Sequence, residues 1–174
     1  RTDEKQIAVV KLHKKEKYMK SVLKAAGSFM GVVALTLSTT AAANHAFNHP
    51  EKAVEYRQKA FSLMQNNFAV MGDMVKGDIK FDEKMFAARA NDFAALAGMP
   101  WVGFEQAGAK PGDGSDALPA IWTNWDDFMK KADQFQNDAK ALQQAALSGK
   151  QNDIRKAFMS AARNCKACHD SYKA

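Results

Sequence analysis

The chain has 174 residues and a mass of about 19 kDa, which leaves room for one domain at the usual roughly 100–200 residues per domain. With 47 % hydrophobic and 25 % charged residues, wholesale disorder, collagen-like repeats and a many-disulfide scaffold are excluded. The formal charge of +6 belongs to the leader: residues 1–43 hold eight Lys/Arg against three acids, and the rest of the chain holds 17 against 16. A body so close to neutral has no electrostatic footprint for a polyanion, which argues against nucleic acid as a partner.

Residues 1–18, RTDEKQIAVVKLHKKEKY, precede Met19 and fit no part of a targeting signal. They are either upstream sequence that is not native to the protein or an extended basic start. Met19 opens a tripartite pattern: Lys20 and Lys24, an apolar run from Ala25 to Leu37, then small residues through Ala43. This predicts a secretory signal peptide over 19–43, cleaved after Ala43 or Ala46. The run is short of the roughly 20 residues a spanning helix needs, and it contains Gly27 and Ser28. The expected product is an exported, periplasmic domain over 44–174, free of the membrane after processing.

In that domain β-forming residues are sparse, and Ala, Lys, Gln, Met and Phe dominate, which predicts an all-α body. From Pro50, residues Val54, Arg57, Phe61, Met64, Phe68, Met71 and Val75 recur at three and four, one face of a helix that Gly77 ends. A second helix follows Asp82, with Phe86, Ala90, Phe93 and Ala97 as its stripe, up to Gly98 and Pro100. The stretch 98–121, with its Pro and Gly residues, is expected as one long loop. A third helix begins near Thr123 and carries Trp125, Phe128, Ala132, Phe135, Ala139, Leu142 and Ala146 to Gly149. A fourth starts at about Asn152, with Ile154, Phe158, Ala161, Cys165, Cys168 and Tyr172 on one side. Two short turns and one crossover make an antiparallel up-down-up-down four-helix bundle the economical arrangement.

Both cysteines lie in one motif, Cys165-Lys166-Ala167-Cys168-His169. This C-x-x-C-H spacing attaches c-type haem. On a helix, positions i, i+3 and i+4 share a side, so two thiols and an imidazole converge on one flat object. The thiols form thioethers with the haem vinyls, and His169 reaches the iron as axial ligand. A redox dithiol would need a strand-to-helix setting near a βαβ unit, which a helical chain lacks. A structural zinc site wants four ligands, and no second Cys or His pair stands near: His13 is in the leader, and His45 and His49 lie at the far N-terminal end of the domain.

A four-helix bundle with its C-x-x-C-H at the end of the last helix resembles the class II cytochromes c, and in particular the cytochrome c′ family. The segments that carry the resemblance are AVEYRQKAFSLM at 53–64, MPWVGF at 99–104, PAIW at 119–122 and CKACHDSYK at 165–173. It implies one haem c per chain, held through Cys165 and Cys168. In the low-spin branch of this class a Met on the first helix closes the sixth position; in cytochrome c′ that place is bulky and apolar, and here it falls on Phe61. Phe has no donor atom and cannot ligate iron. Met64, one turn on, is either a sixth ligand or core filling, and Met71 and Met74 are weaker candidates.

The resemblance further implies that Trp101, Phe104, Phe128 and Phe135 line the haem, although the last two also suit ordinary bundle core. Arg57 and Gln58 match its polar contacts to the propionates, or else an exposed polar face. Lys173, four residues after His169, matches a cation beside the proximal ring. The implied function is five-coordinate, high-spin binding of nitric oxide and carbon monoxide, with electron transfer to an unknown redox partner, in a homodimer built on the first two helices. The alternative is a six-coordinate electron carrier. An enzyme of peroxidase type has no support, since no His or Arg stands at the Phe61 position for acid/base work.

Overall fold

The computed structural model describes residue 47, residues 49–112 and residues 114–174. The expected extension 1–18, the signal peptide 19–43, both cleavage positions and His45 lie outside the described residues. The rest is helical. α1 spans Pro50–Lys76, with Pro at its first position, Glu51 in the first turn and Lys76 in the last. α2 spans Glu83–Leu96, capped by the Asp82 carboxylate, which accepts from the Met85 N–H at 2.8 Å. α4 spans Trp125–Ser148 and α5 spans Gln151–Tyr172. α1 and α4 each end on a glycine with positive φ, Gly77 at 89° and Gly149 at 67°, a backbone turn that a side chain would strain.

The expected bundle is therefore present, and solved structures that match it are cytochrome c′ four-helix bundles. The stretch 98–121 is less of a loop than its Pro and Gly content predicts. It contains 3-10 helices at Pro100–Phe104 and Gln106–Gly108, and a one-turn helix α3, Ala120–Thr123, precedes α4. The third long helix starts at Trp125, two residues later than Thr123, because Asn124 breaks the helical backbone between them with φ −125° and ψ 45°.

α1 packs on α2, α2 on α4 and α4 on α5. α1 and α5 meet at one end, where Phe68 stacks on Phe158 with centroids 4.3 Å apart and planes 9° apart. Gly72 faces the same ring, and a Cβ there would stand 3.3 Å from Phe158 Cζ. Toward Arg57 on α1 and His169 on α5 the two helices leave an open seam. The buried core of Met71, Phe86, Phe93, Ile121, Phe128, Leu142 and Ile154 lies behind it.

The crossover closes the seam's upper side, and two sets of bonds hold it there. The first is Arg57, buried at 2 % exposure. Its Nη1 donates to the carbonyls of Gly103 (2.9 Å) and Gly108 (3.0 Å), and its Nη2 to the Pro111 carbonyl (2.9 Å) and Ser115 Oγ (3.0 Å). The guanidinium also lies 4.3 Å from the Phe104 ring centre. Glycine is required where the strap presses on α1: a Cβ on Gly103 would sit 2.8 Å from the Ala53 carbonyl oxygen, and one on Gly108 would collide with the Gly103 carbonyl. The second set joins the crossover to the C-terminus. Ala117 and Lys173 form an antiparallel bridge, the Leu118 N–H donates to Tyr172 O (3.0 Å), and the Ala174 N–H donates to Asp116 O (2.8 Å).

A buried hydrogen bond from a charged donor contributes about 1.5–3 kcal/mol, and part of that offsets the cost of burying the charge. Arg57→Met should therefore lower unfolding free energy by about 2–4 kcal/mol in denaturant titration and expose 105–118 to limited proteolysis. A change below about 0.5 kcal/mol, typical of an ordinary surface residue, would remove Arg57 from this role.

Candidate functional site

The seam encloses a cavity of about 580 Å³, within the roughly 300–1,000 Å³ of small-molecule and cofactor pockets. All twelve residues singled out in the sequence line it: Arg57, Gln58, Phe61 and Met64 from α1, Trp101 and Phe104 from the crossover, Phe128 and Phe135 from α4, and Cys165, Cys168, His169 and Lys173 from α5 and its end. Met71 and Met74 do not line it and are buried in the core, at 0 % and 4 % exposure.

The aromatic wall is interlocked. Phe61 is half-buried and meets Trp101 edge-on at 5.7 Å and Phe104 at 6.2 Å. Phe104 packs edge-on against Phe128 at 5.0 Å, and Trp101 against Phe128 and Phe135. The polar atoms of this wall already have partners. Trp101 Nε1 donates to the Ala97 carbonyl (2.7 Å) and Trp122 Nε1 to the Phe104 carbonyl (2.8 Å). Arg57 is not on an exposed polar face: it is interior, and its four terminal N–H groups are committed to the crossover. Burial without a carboxylate among the described residues lowers its pKa to about 10. Gln58 is exposed and donates to the Gly114 carbonyl at 2.7 Å.

On the α5 side, Cys165 and Cys168 are free thiols, half-buried against the core. Burial, and then the neighbouring Cys168, push the Cys165 thiol up to about 11, and burial raises Cys168. Both stay protonated thiols in the chain as described. Desolvation, followed by the Lys173 charge, lowers His169 from its ordinary value. A neutral imidazole keeps a lone pair for a metal. Lys173 Nζ pairs with Asp116 at 3.1 Å, half exposed at the mouth.

Sequence reasoning missed several lining residues. Tyr172 was expected on the apolar side of α5, and it is buried there, but its partner was not foreseen: its hydroxyl donates to Asp127 Oδ2 at 2.6 Å. Burial and Asp127 raise the phenol to about 12. Lys131 also lines the cavity; as a cation three residues after Phe128 and four before Phe135, it breaks the apolar stripe, and that break was the available signal. Ser115 and Asp116 lie in the crossover, where no periodicity marks them.

The donor set fits a haem attached through two thioethers. Two thiols and an imidazole rise from one side of α5, the walls are aromatic, and the ammonium groups of Lys131 and Lys173 stand among the lining residues for carboxylates. The sequence model of the family described as Cytochrome C′ matches residues 52–173. The cytochrome c′ of Halomonas halodenitrificans is 37 % identical over 129 residues, covering 72 % of this chain and 98 % of that protein. A solved cytochrome c′ from Shewanella frigidimarina is 46 % identical with a TM-score of 0.70, over 73 % of this chain and 98 % of that one. The nitric oxide complex of a mutant cytochrome c′ from Alcaligenes xylosoxidans is 36 % identical with a TM-score of 0.67, over 73 % and 97 %. Haem c is the covalent cofactor of such proteins, and Cys165 and Cys168 are the two thiols this chain offers it. A match that runs from the first turn of α1 to the residue after α5, on relatives covered almost end to end, places the chain in the cytochrome c′ family.

Proposed function

We propose that the chain is an exported haem protein that leaves one axial position of its iron open, takes nitric oxide there, with carbon monoxide as a further ligand, and serves in nitric-oxide tolerance while able to pass electrons. His169 would hold the iron from the α5 side, and Phe61 would cover it from α1. The bound haem supplies the iron to which the gas attaches, and the residues of the chain decide what reaches it.

The observation that carries this reading is the aromatic wall around Phe61, which meets Trp101 edge-on at 5.7 Å and Phe104 at 6.2 Å. The neighbouring indoles and the terminal N–H groups of Arg57 already serve carbonyls and Ser115. Dioxygen gains from a distal donor, so such a wall serves it poorly; nitric oxide needs none. Among the described residues no second histidine lines the cavity, and we assign no catalytic residue. The Alcaligenes xylosoxidans relative solved with nitric oxide supports the same ligand here. Export to the periplasm follows from the leader pattern of 19–43, and no helix among the described residues is long and apolar enough to cross a membrane. Exposed Tyr56 and Leu63 on α1 and Met85 on α2 support a homodimer through these two helices.

A six-coordinate carrier is the second reading, because Met64 lines the same cavity one turn from Phe61. Against it, Met64 is 3 % exposed and belongs to the core cluster, where Met is a common gap-filler. Absorption and paramagnetic resonance spectra of the purified holoprotein separate the two. The expected result is a high-spin ferric iron and a five-coordinate ferrous one; a low-spin His/Met spectrum would overturn the first reading.

Phe61→Ala should speed carbon monoxide and nitric oxide association at least several-fold in flash photolysis. Because Phe61 is only half-buried, the stability cost should be about 1–2 kcal/mol, below the roughly 3–5 of a fully buried Phe. Unaltered rates would mean that another side chain guards the iron, Met64 first. His169→Ala should leave the haem covalently attached by mass while changing the spectrum and gas affinity, since thioethers and axial ligation are separate bonds. An unchanged spectrum would exclude His169 as ligand.

A further inference from the structure

We infer that Tyr172, acting through its bond to Asp127, is the positioning residue that fixes the His169 imidazole against the cavity; this rests on the reading of His169 as the ligand of an otherwise open iron.

His169 stands where its own helix holds it least. α5 ends at Tyr172, so His169 belongs to the last turn, where carbonyls run out of helical N–H partners and the backbone frays. A ligand in such a turn keeps a fixed orientation only if something outside the helix ties the turn down. Asp170 and Ser171 do not, because their side chains bond within α5, to Lys166 and to the Ala167 carbonyl. The backbone ties lead to the crossover: the Leu118 N–H donates to the Tyr172 carbonyl at 3.0 Å, and the Ala174 N–H to the Asp116 carbonyl.

Tyr172 supplies the tie to α4. It follows His169 by three residues and Cys168 by four, so the three side chains share one side of the helix, and all three line the cavity. The tyrosine ring is buried at 6 % exposure and meets Phe128 edge-on at 5.4 Å. Its hydroxyl reaches past that contact to Asp127 Oδ2 at 2.6 Å. A bond of this kind, hydroxyl to carboxylate, is short and roughly twice as strong as one between neutral groups. Asp127 lies in the first turn of α4, one residue before Phe128, so the ring and the hydroxyl grip adjacent points of one turn. Among the described residues this is the one side-chain hydrogen bond from residues 169–172 to another helix. The turn that carries the imidazole is thereby held against rotation about the axis of α5, while the thiols set the line along which a cofactor is attached.

The test is resonance Raman spectroscopy of the ferrous holoprotein, reading the iron–imidazole stretch, whose frequency follows the tilt and distance of the ring and which a general loss of stability leaves in place. Tyr172→Phe keeps the ring on Phe128 and removes the hydroxyl; it should shift the mode, and Asp127→Ala should shift it in the same direction. The double variant should go no further, since two partners of one bond are not additive. Asp127→Asn, whose amide oxygen still accepts from the hydroxyl, should restore most of the wild-type frequency. Asp126→Ala, which removes the neighbouring exposed carboxylate, should leave it unmoved. Exchange of the Lys173 amide, which donates to the His169 carbonyl at 3.0 Å, should be roughly 10-fold faster in Tyr172→Phe. An unmoved mode in Tyr172→Phe, even with faster exchange, would make the bond a structural one only and overturn the proposal, as would an equal shift in Asp126→Ala. If Tyr172→Phe yields no folded holoprotein, equal frequencies in Asp127→Ala and the wild type overturn it. A wild type with no iron–imidazole mode would instead fail the reading of His169 and the open position, and the proposal with it.

Discussion

The guanidinium of Arg57 is the one charged group buried among the described residues, and its partners are carbonyl and hydroxyl oxygens spread over thirteen residues of the crossover, from Gly103 to Ser115. A planar group with five fixed donors can gather a chain that has few apolar residues to bury. Residues 105–116 carry few apolar side chains, and the oxygens of Gly108, Pro111 and Ser115 among them are satisfied from α1. The two glycines that press on Ala53 and on each other's backbone follow from that geometry, since any side chain would lift the strap from the charge. Trp101 and Phe104 are then fixed as the upper wall of the cavity, and the strap's far end reaches the last residues of α5.

The cavity is a consequence of packing that stops partway. Phe68 on Phe158 and Gly72 beneath it bring α1 and α5 together at one end. Beyond that point α1 turns Phe61 and Met64 inward, and α5 turns two small thiols inward. Neither set fills the space between the helices, so a well-packed interior would require another occupant. The polar groups around the space obey the same logic. The indole N–H groups of Trp101 and Trp122 are given to the backbone carbonyls of Ala97 and Phe104.

The bundle and the residues of its slot were legible because both rest on repeating patterns. Three- and four-residue spacing marked the helices, and C-x-x-C-H marked the attachment helix directly. What was not legible was long-range pairing. Arg57 fits an exposed polar face and a propionate contact equally well in sequence, and only the 46- to 58-residue separations of its bonds show it to be interior. The Tyr172 to Asp127 bond joins helices 45 residues apart, and neither residue carries a local signal for it. The short helices of the crossover were hidden for a related reason. Pro and Gly there serve 3-10 turns and close approach to α1, while composition alone reads them as loop.

The two ends of the strap bear on the two sides of the cavity. Ser115 accepts from Arg57 through its hydroxyl and takes the Ala117 N–H on the same oxygen. Asp116, next in the chain, holds the Lys173 ammonium and accepts the Ala174 N–H. Two adjacent residues thus tie the buried charge of α1 to the cation that follows His169. The Lys173 charge adds to desolvation in lowering the affinity of His169 for a proton, and by the same electrostatics it opposes anionic character on the imidazole. Asp116 draws that ammonium toward the strap and offsets part of its field. The exposed ion pair itself contributes little to stability; its consequence lies in where it leaves the charge. The residue that fixes the Phe104 wall and the residue that sets the charge beside His169 are therefore held by the same four-residue stretch, Ser115 to Leu118.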